Sequence, residues 1–496
     1  MKKTHLFFLI LTFLIFSFSN LSYGWEGRME GMGNPYGLVQ DESDFLFHPA
    51  KIANGQGINF YGGYRFNYTG VSDWNYNIDS FTLAGTLNAF YNYETSGKEY
   101  KHNALLGAAF PLGPGRMGLF FEYAGKRGDY DGDESRLGTS VLTEYELTSN
   151  LDNFALRLLY GLPSNGFKLG GEFQLAYRKE QNRNFMPGLL NYILGMQIPS
   201  SNLTPFQLPY DTSKYWEALL KGSLEGKVGP LDLEFTLRGG FIFGGHNSFE
   251  LTQGNIVVDD SSGGVKGWRI GGDVWARYPL DNNLSLPFLA RIDFQKKTRD
   301  GTGYRFDGNP NNYPYESKDE NLHIEAGGGV DKDFGKGTRI AAGIYYNYLH
   351  GKYNIMLTES VTGQVWDHLD YPASTEHQFM LRLAGEHGLS PSVTLRMGLA
   401  AFFGWVKEDF KFSYRTSYTD DIPLHGHHWG IGASIGGTVK FQRFSLEPFI
   451  NAGYQKLDLK GDGDRTTPGG AINNLWEMDK LRKEWSIGGG FSIKFN

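Results

Sequence analysis

The residues best equipped for chemistry sit near the C-terminus. "HGHHWG" holds His425, His427 and His428, and His425 and His427 share one face of an extended chain, so a surface metal site is geometrically conceivable. No carboxylate backs the three rings in the sequence, and they read better as exposed loop histidines at the outer end of a strand. "KGDGDRTTPGG" places Asp462 and Asp464 two apart, as some calcium loops do. The bidentate Glu such a loop needs does not follow, so the stretch reads as a turn-rich outer loop. Asp259 and Asp260 in "VVDDSSGG" read the same way. The glycines of "GIGASIGG" are strand glycines, because no strand–turn–helix surrounds them. No serine is read as a nucleophile elbow. Cysteine is absent, which removes disulfides, thiolate metal sites and cysteine catalysis. The expectation is a protein that is not an enzyme and holds no cofactor and no metal.

The elements that carry these residues are strands. The chain closes with "EWSIGGGFSIKFN", where Trp485, Ile487, Gly489, Phe491, Ile493 and Phe495 alternate with small, polar or charged residues. A period of two means a β-strand with unlike faces. The pattern recurs at Phe81–Tyr93, Phe154–Leu162, Phe167–Tyr177, Trp216–Val228, Leu231–Phe241, Trp268–Tyr278, Leu284–Phe294, Ile340–Tyr348, Phe379–Leu389, Val393–Trp405, Trp429–Phe441 and Phe444–Tyr454. Each uninterrupted segment is about 10 to 14 residues, near what crosses a bilayer as a tilted strand. Short turns such as "PSNG" and "SPS" alternate with long polar stretches at 180–213, 245–264, 297–319, 349–374, 406–426 and 457–482. Two connection lengths at opposite ends are the layout of an outer-membrane barrel.

The polar register supports that reading. It carries Glu172, Arg178, Glu234, Arg238, Arg269, Asp273, Arg277, Arg291, Asp293, Arg382, Glu386 and Arg396, with Glu122, Arg157 and Lys221 among the others. In a barrel these charges face the lumen while the apolar set faces lipid. Seventeen strands can be counted from residue 57, with the difficulty in 57–112. Single-chain barrels have an even number. The fold class is therefore an all-β transmembrane antiparallel barrel of 16 strands, with 14 or 18 as alternatives. Counting back from the "PLGPGR" turn puts the start of the first strand on the outer side, so either one strand within 57–112 is misread or residues 25–56 climb through the lumen first.

Three regions follow: residues 1–24, 25–56 and 57–496. Lys2 and Lys3, the apolar run Leu6–Phe18 and the small residues Ser22 and Gly24 make residues 1–24 a signal peptide. The remainder has 45 basic and 54 acidic residues, a net charge of -9, which argues against nucleic acid. The final strand, with Trp485, Phe491, Ile493 and Phe495, resembles the terminal recognition signal of bacterial barrels, although Asn496 follows Phe495. The expected location is the outer membrane of a Gram-negative-type bacterium. The expected partners are outer-membrane lipid and lipopolysaccharide, the barrel assembly machinery and a small-molecule cargo.

Residues 25–56 lack alternation. "GMGNPYGLVQDESDFLFHPAKIA" resembles the N-terminal hatch of the long-chain fatty acid transporter family of outer-membrane barrels. Ser43, Asp44, Phe45, Phe47, Pro49 and Ala50 fit that pattern, while His48 stands where Asn is expected. The resemblance implies that residues 25–56 plug the barrel from the periplasmic side. It also implies passive passage of small molecules, hydrophobic ones included, through a gated lumen. That family's barrel has fewer strands than are counted here. The alternatives are a structural sheath around an electron-transfer or secretion partner, or a general diffusion porin constricted by residues 180–213 or 245–264.

Overall fold

The computed structural model describes residues 32, 38–39, 42–81, 87–136, 143–185, 210–252, 256–305, 311–358, 365–414, 418–467 and 470–495. Residues 1–24, assigned to the signal peptide, lie outside them.

Two 3-10 turns, Glu42–Leu46 and Pro49–Asn54, precede the first strand. Then come β1 (Asn59–Phe81), β2 (Leu87–Leu112), β3 (Gly115–Arg136), β4 (Thr143–Ser164), β5 (Phe167–Phe185), β6 (Tyr210–Val228), β7 (Leu231–Thr252) and β8 (Ile256–Pro279). The second half is β9 (Leu284–Arg305), β10 (Asn311–Gly335), β11 (Thr338–Thr358), β12 (Val365–Ser390), β13 (Val393–Tyr414), β14 (Tyr418–Lys440), β15 (Phe444–Thr467) and β16 (Gly470–Phe495). Each strand pairs antiparallel with its neighbours in sequence, and β16 returns to β1 to close the barrel. The closing register sets Phe60 opposite Phe495 and Gly70 opposite Trp485. Closure removes every sheet edge, which is what a lipid environment requires.

The two faces differ as the alternation requires. Leu220, Phe241, Ile270, Ile292, Ile344, Met397 and Ile487 are exposed on the outside. Arg157, Glu172, Glu234, Asp273 and Glu325 are buried on the inside. On β16 the outward apolar set runs from Trp485 to Phe495. At about 3.3 Å per residue and a tilt near 40°, that stretch stands roughly 25 Å tall, the height of a hydrocarbon band. Aromatic rings pair across neighbouring strands at its upper edge: Tyr68 with Trp485 at 5.0 Å, Tyr177 with Trp216 at 5.1 Å, Trp268 with Phe294 at 5.0 Å and Trp429 with Tyr454 at 5.4 Å. At the lower edge Phe441 stacks on Phe444, with centroids 4.4 Å apart, and Phe495 lies tilted to Phe444 at 5.6 Å. The short turns at this end use positive φ at Gly113, Gly166 and Gly229, a conformation open to glycine.

Three expectations need correction. Strand lengths are 19 to 26 residues rather than 10 to 14. Apart from 180–213, of which 186–209 lie outside the described residues, the stretches read as long loops are largely strand: β13 and β14 together cover 393–414 and 418–440, so the 406–426 segment is nearly all ladder. Above the lipid band both faces are polar, so alternation fades while hydrogen-bonded pairing continues. The seventeenth strand also disappears. The alternation from Phe81 to Tyr93 spans the connection between β1 and β2, and β1 begins at the short-turn rim beside the C-terminus, not on the outer side.

Candidate functional site

The inner wall of β1–β12 meets the chain that precedes it. Phe45, Leu46 and Ile52 pack with Leu105, Ala109, Phe120 and Leu159, and Tyr61 lies against them. The Phe45 ring stands 5.5 Å from Tyr61 and 5.3 Å from Phe120. Farther round, Met32, Leu38 and Val39 pack with Trp275, Leu289, Ala341, Tyr345 and Ala384, with Phe47 and Met380 alongside. One short segment thus touches strands on both sides of the lumen. The wall residues it meets lie in the short-turn half of the strands, within about ten residues of the turns.

Polar contacts hold its backbone. Arg157 Nη2 donates to the Leu46 carbonyl at 2.5 Å, and Lys221 Nζ donates to the same oxygen at 3.1 Å. Both cations also bind Glu172, at 2.8 and 3.1 Å. The Ala50 amide donates to Ser223 Oγ at 2.7 Å, and Arg277 donates to the Leu38 carbonyl at 3.2 Å. Pro49 opens the second 3-10 turn, where its fixed φ suits a first helical position and no N–H is needed. A Cβ at Gly170 would fall on the Pro49–Ala50 peptide, so that wall position must be glycine for the segment to seat.

Between the two turns, His48 is wholly enclosed. Its Nδ1 lies 2.6 Å from Thr236 Oγ1, and its Nε2 lies 3.4 Å from Asp273 and 3.6 Å from Glu234. Lys51 Nζ reaches Asp44 at 2.8 Å and Glu234 at 2.9 Å, and stands 5.0 Å over the Trp275 ring. Burial, followed by the charges of Lys51, Arg291, Lys221 and Arg238, pushes the His48 pKa well below its ordinary value. The ring is therefore neutral, and its approach to the two carboxylates is not an ion pair. Burial alone would lower the Lys51 pKa, but the Asp44 and Glu234 carboxylates outweigh that and raise it. The side chain of Ser43 lies outside the described residues.

The lumen charges named from the sequence are brought together along the wall rather than across the opening. Arg238 binds Asp273 at 2.8 Å and Asp293 at 2.6 Å, and Arg269 stands 3.7 Å from Asp293. Arg277 binds Asp331 at 2.5 Å. Glu325 takes Arg382 at 2.8 Å and lies 3.7 Å from Arg291. Arg178 binds Glu217 at 2.9 Å, and Arg396 reaches Glu386 at 3.2 Å. Sequence reading did not single out Lys51, Ser223, Thr236 or Gly170 as parts of this site. The only signal for Lys51 was a lone cation inside an apolar run.

The metal candidates separate. His425 and His427 are exposed on the outer face of β14, where His427 stacks on Phe403 at 5.3 Å. His428 points inward, buried, 3.0 Å from Glu376. They are strand residues, not loop residues. Asp462 and Asp464 sit on β15, and the side chains of Asp259 and Asp260 lie outside the described residues. Among the described residues no three His, Asp or Glu are placed to share a metal. Gly432–Gly436 has the G-x-S-x-G spacing around Ser434, but it runs straight through β14 with no elbow.

Outward Trp485, Phe491 and Phe495 and the half-buried Ile493 line the rim half of β16. With an apolar outer band between two aromatic edges and a closed ladder, the location is settled by the wall itself. The chain is an outer-membrane β-barrel. No protein-family model matches it, and no curated protein matches it. Among solved structures it is similar to a TodX mutant described as a monoaromatic hydrocarbon channel, with a TM-score of 0.45, 13% identity and coverage of 95% of this chain and 99% of that one. It is also similar to a Pseudomonas aeruginosa FadL homologue, at 0.42, 10%, 95% and 98%. The Pseudomonas putida toluene transporter TodX gives 0.41, 12%, 95% and 98%. These values describe a shared barrel outline, and the reading of the lumen rests on its own contacts.

Proposed function

We propose that this barrel, residues 57–496, is a channel for passive passage of small molecules across the outer membrane, and that residues 25–56 occupy its lumen as a displaceable gate. One observation carries the reading. The segment from Phe45 to Ala50 is held in the lumen by wall groups on many strands, with the Leu46 carbonyl gripped by Arg157 and Lys221. A segment bound by side-chain contacts, and continuous with the wall only at Asn59, can leave without unpairing a strand. The apolar surfaces it covers, around Phe120 and around Tyr345, would offer a displaced path to small hydrophobic cargo. The outward aromatics of β16 would present the finished strand to the assembly machinery.

The test is single-channel conductance of refolded protein in planar bilayers, with and without residues 25–56. Low conductance that becomes large on deletion supports the gate. Gly170→Val should behave like the deletion, because its side chain displaces the Pro49–Ala50 peptide while facing away from lipid. Large, steady conductance from the intact chain would show an open pore and end the proposal.

A further inference from the structure

Above the layer that grips the Leu46 carbonyl, the inner wall of β3–β5 changes character. Alternation turns Ala124, Ala155 and Ala176 inward, and all three are buried. In the ladder Ala124 stands opposite Asn153, and Ala155 stands opposite both Glu122 and Ala176. Three methyl groups on three consecutive strands make a flat apolar floor, because side chains on one face of a sheet rise from nearly the same level. Long side chains flank it. Arg157, bound to Glu172 at 2.8 Å, stands on the short-turn side, and Arg178, bound to Glu217 at 2.9 Å, stands on the β5–β6 side. The recess lies at the height of the outward Tyr123–Phe154 pair, whose rings are 5.0 Å apart.

Two polar groups at its border are idle. Phe154 is exposed outward, so Asn153 faces the lumen, where it is 1% exposed. Neither its Oδ1 nor its Nδ2 meets a hydrogen-bond partner among the described residues. Glu122 Oε2 is also buried without one, and its contact with Arg157 Nη1, at 3.6 Å, is too long for a hydrogen bond. The two residues are diagonal neighbours on one face of the β3–β4 ladder, roughly 7–8 Å apart. An enclosed amide with both ends unused is costly unless a ligand uses it.

We infer that this recess is a subsite for a small neutral molecule that joins a hydroxyl to an apolar body, as a phenol does, one layer above the seated gate. Charge narrows the choice. Glu122, Glu172 and Glu217 repel an anion, while Arg157, Arg178 and Lys221 repel a cation. A hydroxyl suits both idle groups, because its O–H donates to Glu122 Oε2 while its oxygen accepts from Asn153 Nδ2. The ring then lies on the three methyl groups. A hydrocarbon would cover the same two polar groups and satisfy neither, so the site selects for the hydroxyl. The inference rests on the channel reading and narrows its cargo.

The test measures binding to full-length protein refolded in nonionic detergent. It uses fluorine NMR with 4-fluorophenol, fluorobenzene and 4-fluorobenzoate as probes and protein-free micelles as the blank. 4-Fluorophenol should bind about tenfold or more tightly than either other probe. Asn153→Leu, close in shape and apolar, should lose about tenfold for 4-fluorophenol and leave fluorobenzene where it was. It should also unfold at the same or a higher urea concentration than the parent, because the amide it replaces had no partner. A lower midpoint would make Asn153 a structural residue and overturn the inference. Equal binding of fluorobenzene would overturn it by showing apolar contact alone, and equal binding of 4-fluorobenzoate by showing a site indifferent to charge. The three-probe comparison uses the unaltered protein, so a variant that fails to fold leaves the inference exposed to refutation. Binding is read apart from conductance. A steadily open pore would end the gate while hydroxyl-selective binding stood, and unselective binding beside a working gate would end the subsite alone.

Discussion

The inner and outer faces of the same sixteen strands treat charge in opposite ways. Inside, Arg157, Glu172 and Asp273 are buried and Arg238 is nearly so, and each is held by at least one oppositely charged partner on another strand. Outside, charges are kept out of the band altogether and reappear in exposed pairs at its upper edge. The comparison shows that position, not charge count, sets what an ionic group does here. A buried ion costs several kcal/mol to desolvate and must be held by partners, whereas an exposed one stays hydrated and is nearly interchangeable.

The largest effect should come from breaking the inside rule. Arg157→Ala leaves Glu172 and Glu122 without their shared cation and releases the Leu46 carbonyl. It should destabilise the barrel by about 3–5 kcal/mol, measured by urea unfolding in vesicles with tryptophan fluorescence, and should raise conductance as well. A loss under 1 kcal/mol would mean the inner wall is wet enough to tolerate an orphaned carboxylate. Breaking the outside rule comes next. Leu220→Arg, in the middle of the band, should cost about 2–4 kcal/mol by the same assay, while a lysine two residues above Trp405 is already native. A neutral outcome would place Leu220 outside the hydrocarbon.

A smaller effect should follow pH. His48 faces Thr236 and Glu234 on β7 and Asp273 on β8, with Lys51 and Asp44 on its own segment. Its pKa is held well below the usual value in the seated state, so protonation is disfavoured there relative to a released, hydrated segment. Seating is therefore strongest above roughly pH 6.5 and weakens as pH falls below it, by at most about 1.4 kcal/mol per unit. Open probability between pH 7.5 and 5.5 should rise accordingly, and His48→Asn should flatten the response. A parent channel that closes further in acid would reverse the assignment. The smallest effect belongs to the outer rim: Asp458→Asn removes the partner of Lys456 and should shift stability by no more than about 0.5 kcal/mol.

The sequence announced the barrel wherever one face met lipid and the other did not. Trp216–Val228 and Trp485–Phe495 could be placed on strands with the right faces from alternation alone. Strand ends were hidden because the stretch from Gly470 to Glu484 carries "NNLWEMDKLRKE", polar or large on both sides, and only its pairing with β15 and β1 defines it. The error at Phe81–Tyr93 has the same root, since alternation can run unbroken through a connection. The lumen set was legible as a face but not as partners. That Arg277 meets Asp331 on β10, rather than a nearer acid, depends on stagger between strands. The grip of Lys51 on Glu234 depends on a segment with no period to read.

The closing ladder has one more consequence. Every other pairing joins consecutive strands, so fifteen of the sixteen ladders can form as the chain is delivered. The ladder between β1 and β16 joins Phe60 to Phe495 and must wait for the last residues. Until then the two margins are open edges, and a nascent chain lacking its final strand remains a curved sheet with nothing to enclose. The two termini of the wall also meet at one rim, so a circular permutant joined there and opened at the Gly229–Pro230 turn should rebuild the same cylinder from a different beginning.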